Sequence, residues 1–361
     1  TAAGGDQLGR VGQHRSSRVG TLDLEVGAAA SAGGTSVDEI VVVGRRLFEV
    51  RTPEVATNVS QLQINSLPQI NRNFLNFAAL APGVRVTEGE TERTISAGGQ
   101  GAAAINVFID GQNQKSTIID GGVGGQDDSR GTPFPQGAVQ EFRVISQNFK
   151  AEYEQAGSAI ITAVTRSGTN EFHGSVYGVY RNDDMVGDDR NGNPFTGFNK
   201  EETYGFTLGG PLLKDKLFFF ANYEKFKRGA PGPDLENTPY GRGQITDANI
   251  AAIQAAADTW GFDAGSLLGA DSLDTDIEEY AVKLDWNINE AHRANIRYSK
   301  LTQDVAKLPP SSWNSAISLS SHWYNQNKTF ESTVAQLFSD WSDNFSTELK
   351  VSRREYDAIA Q

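Results

Sequence analysis

From Asn170 onward, long and short polar connections alternate strictly along the chain, and the segments between them alternate apolar and polar residues. A period of two is the pleat of a β-strand, in which successive side chains leave opposite faces. In "EYAVKLDWN", Tyr280, Val282, Leu284 and Trp286 share one face, while Glu279, Ala281, Lys283 and Asp285 share the other. A soluble sandwich alternates in the same way, so the connections carry the discrimination.

They run in a fixed order. "FHGSVYGVYR" leads into the long "NDDMVGDDRNGNPFTGFNKEE"; "YGFTLGGPL" turns within "LKDK" into "LFFFANYEKF". A very long insertion follows, from about Lys227 to Asp276. "EYAVKLDWN" then turns through "INEAH" into "RANIRYSKL", a long loop intervenes, and "TFESTVAQLFSDW" turns through "SDN" into "FSTELKVSRREY". Short turns at one end and long loops at the other are the pattern of an outer-membrane β-barrel. The connections of a sandwich or propeller vary less systematically. Tyr280, Trp286 and Trp341 stand where interfacial aromatic girdles are expected. The segments make about seven strands, an odd number, whereas single-chain bacterial barrels close with even numbers. The expectation is a membrane protein dominated by β-structure, of which this chain holds the first part of the barrel, cut at both ends. The chain opens at Thr1 without an initiator, and its one methionine is Met185.

Upstream the organisation differs. Residues 1–36 are rich in Gly, Ala and Ser with one β-like run, "TLDLEVGA", and read as the end of a preceding domain followed by a linker. "VDEIVVVGRR" is an isolated, strongly β-forming segment. An unpaired strand is a hazard unless something is meant to pair with it. Residues 47–170 mix a partly helical stretch, "QLQINSLPQINRNFLNFAALAPGV", with the strands "INVFIDGQ", "VQEFRVIS" and "SAIITAVTRSG", a small α+β domain. Inside the long insertion, "TDANIAAIQAAADTW" predicts a helix capped by Thr246.

Composition removes several function classes. A net charge of -13 and a pI near 4.9 oppose a nucleic-acid partner. With no cysteine there is neither a disulfide framework nor a thiolate metal site. His14, His173, His292 and His322 lack metal-ligand spacing. "GGQGAAA" has no GK[ST] ending and reads as a tight-loop glycine run, so no nucleotide or other cofactor is expected. No carboxylate pair is singled out for glycan hydrolysis, and the chain is not read as an enzyme. Asp183, Asp184, Asp188 and Asp189 offer hard oxygen donors of the kind calcium prefers. Their spacing departs from the D-x-[DN]-x-[DN]-G pattern, and solvated acidic loops are the plainer reading.

The order "VDEIVVVG", small α+β domain, "AEYEQAGSAIITAVTRSGTNEFHGS", then hairpins resembles the TonB-dependent outer-membrane transporters, and the junction sequence is similar to their Oar-like branch. The resemblance covers Val37 to the end. It implies a TonB box at 37–46, a plug at 47–170, and at 171–361 the N-terminal part of a barrel of about 22 strands. Residues 1–36 would then be the remnant of a carboxypeptidase-regulatory-like domain. Many siderophore-type members carry Arg-Gly after the corresponding plug strand, where this chain has "EFRVISQNF", and that departure weakens an iron-siderophore reading.

The resemblance also implies partners. Asp38, Glu39, Ile40, Val41, Val42 and Val43 would add as a strand to TonB, driven by the ExbB/ExbD energy system. β-Branched residues favour that extended state. The further partners implied are outer-membrane lipid and an external substrate: peptide, protein, glycan or metal chelate. The expected function is TonB-dependent active transport across the outer membrane of a Gram-negative bacterium. The alternative is a surface adhesion or assembly protein on a similar barrel.

Overall fold

The computed structural model describes residues 20–25, 54–69, 72–88, 93–115, 134–151, 153–195, 197–231, 246–266, 272–307, 319–342 and 344–360. The predicted TonB box, Asp38 to Val43, lies outside them.

An inner domain comes first. Its five-stranded sheet has the order β2 (Val55–Val59), β7 (Val139–Gln147), β8 (Ala159–Thr165), β5 (Ile105–Ile109), β6 (Gln112–Asn113), with only β5 and β8 parallel. Helix α1 (Gln61–Ser66) starts at a capping box, in which Ser60 and Gln63 satisfy each other's backbone N–H. A 3-10 turn, Phe74–Leu80, is capped by the Asn73 side chain. It drops Phe74, Leu75 and Phe77 into the core, with the rings of Phe74 and Phe77 at 5.8 and 6.4 Å from Phe142. Val107, Val144 and Ile161, from neighbouring strands, close that core without solvent contact. Each such side chain contributes roughly 1.5–3 kcal/mol of burial. A separate hairpin, β3 (Val84–Glu88) with β4 (Arg93–Ala97), packs alongside.

The second body is a long antiparallel sheet. β9 (His173–Asn182), β10 (Lys200–Leu213), β11 (Leu217–Pro231), β12 (Ser272–Asn287), β13 (His292–Lys307), β14 (Tyr324–Ser342) and β15 (Phe345–Ala360) follow one another in sequence order. β1 (Gly20–Glu25) lies antiparallel along β9. The connections alternate as the sequence predicts: 183–199, 232–271 and 308–323 are long, while 214–216, 288–291 and 343–344 are tight. Helix α2 (Asp247–Thr259) forms in the longest of them and starts at Thr246 as expected.

The two faces of this sheet are inverted relative to a soluble protein. Glu279, Lys283, Asp285, Asn295, Arg297, Ser299 and Ser332 are buried against the inner domain's side. Phe206, Leu208, Val282, Leu284, Ile296, Leu349 and Val351 are exposed on the other. Polar-in, apolar-out alternation suits a wall facing lipid outside and a filled, polar interior.

The apolar outer face is bounded on two sides. Trp286, Trp341 and Phe345 stand exposed near the tight turns. Further along, Tyr223 pairs across the ladder with Tyr280, whose ring lies 5.9 Å from Tyr298. Beyond this tyrosine row the outer face turns charged: Lys225 contacts Asp276 at 3.1 Å, and Lys300 contacts Glu331 at 2.7 Å. From Tyr280 to Trp286 the strand rises about 20 Å, on the scale of the apolar band of such barrels. Here the structure corrects one expectation. Tyr280 sits in the middle of β12 and not near its end, because the strand continues back to Ser272 through Asp274, Asp276 and Glu278. Those acidic residues read as loop in sequence because the strand has left the apolar band.

Candidate functional site

The seam between inner domain and sheet concentrates the buried charge. Its centre is the hairpin β5–β6, which turns at Asp110–Gly111 with φ of 48° and 74°. Two consecutive positive φ values define the tight turn that Asp-Gly favours, matching the twist of the flanking strands. The turn aims Asp110 at the sheet. Its carboxylate lies 3.4 Å from Arg297 Nε on β13 and accepts hydrogen bonds from Thr165 N (3.0 Å) and Thr165 Oγ1 (2.8 Å). Burial by itself would raise the pKa of this carboxyl. The Arg297 and Lys283 cations and the two Thr165 bonds outweigh burial and hold it below the usual carboxylate range.

The sheet grips the rest of the hairpin mainly through its main chain. Arg297 Nη2 donates to Ile109 O (3.4 Å), Gln336 Nε2 to Asp110 O (3.4 Å), Lys350 Nζ to Gly111 O (2.6 Å) and Arg354 Nη1 to Asn113 O (2.7 Å). Gln112 adds side-chain contacts: its Oε1 accepts from Arg297 (3.2 Å) and from Ser332, and its Nε2 donates to Arg353 O (3.2 Å). The buried bonds from Arg297 are charge-assisted and lie in a low-dielectric seam, which makes them the stronger kind.

Two more contacts extend the seam. On β12, Lys283 Nζ donates to Ser167 Oγ (3.1 Å) and Thr165 O (3.4 Å) and sits 3.6 Å from the fully buried Asp285. Near β9 and β11, Arg72 Nε reaches Glu224 at 3.0 Å, Tyr177 donates its hydroxyl to the same carboxylate, and the Arg72 guanidinium stacks 3.7 Å from the Tyr177 ring centroid. Close approach is built in by glycines. A Cβ at Gly137 would meet Asn222 Nδ2 at 2.5 Å, and one at Gly168, in the junction "TRSGTN", would meet Phe219 O at 2.3 Å.

None of these seam residues was singled out as functional from the sequence. Asp110 was visible only as part of an Asp-Gly turn. Lys283 and Asp285 were visible only as one face of an alternating strand.

The acidic residues of the 183–199 connection serve a different end. Asp189 accepts from Asn191 N (2.7 Å), Asn193 N (2.9 Å) and Asn193 Nδ2 (3.0 Å), so its carboxylate caps its own loop. These bonds, those from Asn193 first, hold its pKa below the ordinary carboxylate range. Asp183 and Asp184 occupy a short 3-10 turn and Asp188 lies beyond it. Among the described residues there is no group of three or more His, Asp or Glu side chains arranged to hold a metal ion.

Comparison with known proteins agrees with the geometry. Residues 164–242, from the end of β8 past β11, match a family model described as an outer membrane beta barrel domain. Over 159 residues, 42% of the chain, the sequence is 32% identical to the TonB-dependent transporter Oar of Myxococcus xanthus, of which it spans 14%. The fold is shared with the ferric enterobactin receptor PfeA of Pseudomonas aeruginosa, with a TM-score of 0.55 and 16% identity over 83% of this chain and 40% of that one. It is shared also with the outer membrane transporter YddB of Escherichia coli, with a TM-score of 0.56 and 10% identity over 82% of this chain and 38% of that one. The chain thus spans well under half of these relatives. The resemblance first read from "AEYEQAGSAIITAVTRSGTNEFHGS" is borne out: this is an outer-membrane β-barrel protein similar to the TonB-dependent transporters, Oar among them.

Proposed function

We propose that the chain works in TonB-dependent active transport across the outer membrane, its inner domain serving as the plug of a barrel of about 22 strands. In this reading 1–36 closes a preceding domain and lends β1 to the edge of the long sheet beside β9, 37–46 is the TonB box, 47–170 the plug and 171–361 the first part of the barrel. The observation that carries the reading is the polar seam itself. A domain docked on the inner face of a lipid-facing wall through bonds to main-chain carbonyls can be released by force, because each bond exchanges for one with water. An oily interface would resist such release.

Substrate from the outside would bind at the long loops and the plug surface below them. TonB, energised through ExbB and ExbD, would then pull on residues 38–43 after pairing with them as an added strand. The relatives are named as transporters and receptors, and no reaction is assigned to this chain.

The test is deletion of Asp38 to Val43 from the full-length protein in its native membrane. Energised uptake is expected to vanish while binding at the cell surface persists. Uptake that continued at the parental rate would sink the transport reading and leave adhesion as the use of the barrel.

A further inference from the structure

The long connection between β11 and β12 presents an apolar patch that the described residues leave uncovered. Helix α2 buries no residue at all. Ile253, Ala257 and Trp260 recur at spacings of four and three, the repeat of one helix face. The helix ends in a reversal: Gly261, at φ 69°, donates to Asp258 O (3.0 Å), and Phe262 N donates to Ala257 O (3.1 Å). That pair of bonds is the Schellman closure, and it brings Phe262 back beside the last turn. Ile253 is 54% exposed, Trp260 87% and Phe262 52%.

The patch is held in place and not trailing. Gln254 Nε2 donates to Gly265 O (2.6 Å), and Ser266 and Ser320 exchange two bonds of 2.9 Å, Ser266 N to Ser320 Oγ and Ser320 N to Ser266 O. The connection between β13 and β14 therefore braces the one between β11 and β12. Gly265 lies in this brace, where a Cβ would meet Ser320 Oγ at 2.2 Å.

Charge says what could cover the patch. In sequence, the long connections 183–199, 232–271 and 308–323 carry ten aspartates and glutamates against two arginines and no lysine. The tight turns 214–216, 288–291 and 343–344 carry three acidic residues against two lysines. In sequence, Asp258 and Asp263 adjoin Trp260 and Phe262, with no cation between residues 246 and 266. An aromatic patch carried by connections of net negative charge fits a ligand that is apolar and cationic at once.

We propose that the Ile253–Trp260–Phe262 face of α2 is a docking site for a cationic amphipathic polypeptide arriving from outside. The assignment rests on the transport reading for its orientation, long loops outward, and it deepens that reading by naming a substrate class.

The test uses the full-length protein in detergent and three labelled peptides of equal length: Lys/Leu amphipathic, Glu/Leu amphipathic, and Lys/Gly lacking the apolar face. The Lys/Leu peptide alone is expected to bind well. Joint substitution W260A and F262A should weaken it about tenfold or more, the scale of aromatic anchors. Joint substitution D258N and D263N should weaken it at low salt and flatten its salt dependence. Gly265→Ala, which changes no patch residue, should weaken it by loosening the brace.

Equal binding of the Glu/Leu peptide, or binding indifferent to W260A and F262A, overturns the proposal. So does displacement of the Lys/Leu peptide by lipopolysaccharide at the same site, which would assign the patch to lipid. Peptide binding that survives deletion of Asp38 to Val43 keeps this result separable from failure of the transport reading.

Discussion

Arg297 on β13 and Asp110 at the tip of the β5–β6 hairpin face each other at 3.4 Å, with both side chains all but withdrawn from solvent. Removing one partner strands the other in a low-dielectric seam, which typically costs about 3–5 kcal/mol. Arg297→Met is therefore expected to lower the denaturant midpoint of the inner domain strongly. Asp110→Asn should cost less, because Asn tolerates the left-handed turn and can keep a bond to Thr165. A double-mutant cycle followed by chemical denaturation in detergent checks this, and strict additivity would contradict a direct pair.

The same carboxylate sets a pH dependence. Its folded-state pKa lies below the ordinary 3.8. A group with a depressed folded pKa contributes stability that is full above its unfolded value and is lost as pH falls through its folded value. The stability gap between parent and Asp110→Asn should hold constant above neutrality and down to mildly acidic pH, then close below 3.8. Stability curves at a series of pH values, measured for both proteins, would show it.

Leu284 is on the exposed apolar face of β12 and Ser299 on the buried face of β13. Leu284→Arg is expected to destabilise the lipid-inserted state by about 2–4 kcal/mol if it lies near the bilayer midplane. Ser299→Ala removes a small inward hydroxyl and should shift it by far less. Refolding titrations into phospholipid vesicles would rank the two, and the reverse ranking would invert the assignment of faces.

Gly168→Ala puts a methyl 2.3 Å from Phe219 O, so the backbone of the junction has to move. A loss of about 1–3 kcal/mol is expected, the range of overpacked sites. Gly178, on β9, has nothing within 4 Å of its added Cβ and serves as the control. Thermal unfolding of both variants in detergent separates a steric cause from the general effect of replacing a glycine.

How far all this was readable in advance depended on range. The pleat of "EYAVKLDWN", the tight turns and the Thr246 cap are local, and each appears where the residues predict it. Strand length was underestimated, since Asp274, Asp276 and Glu278 belong to the ladder although their side chains carry no apolar rhythm. The seam escaped notice for a different reason. Arg297 meets the hairpin 188 positions away, and no spacing within one strand announces such a partner. The inverted faces held the missing hint: once Leu284 faces lipid, Lys283 and Asp285 face inward and need something polar to meet.

The bonds to Ile109, Asp110, Gly111 and Asn113 all end on carbonyl oxygens. Every residue offers the same carbonyl, so Gln336, Lys350 and Arg354 recognise a shape of chain and not a spelling, while Arg297 also reads the Asp110 and Gln112 side chains. Apart from Asp110 and Gln112, residues along the hairpin are free to drift in descent provided that the two-residue turn survives. By the same logic, an inner domain grafted from a distant relative with that turn could seat in this wall.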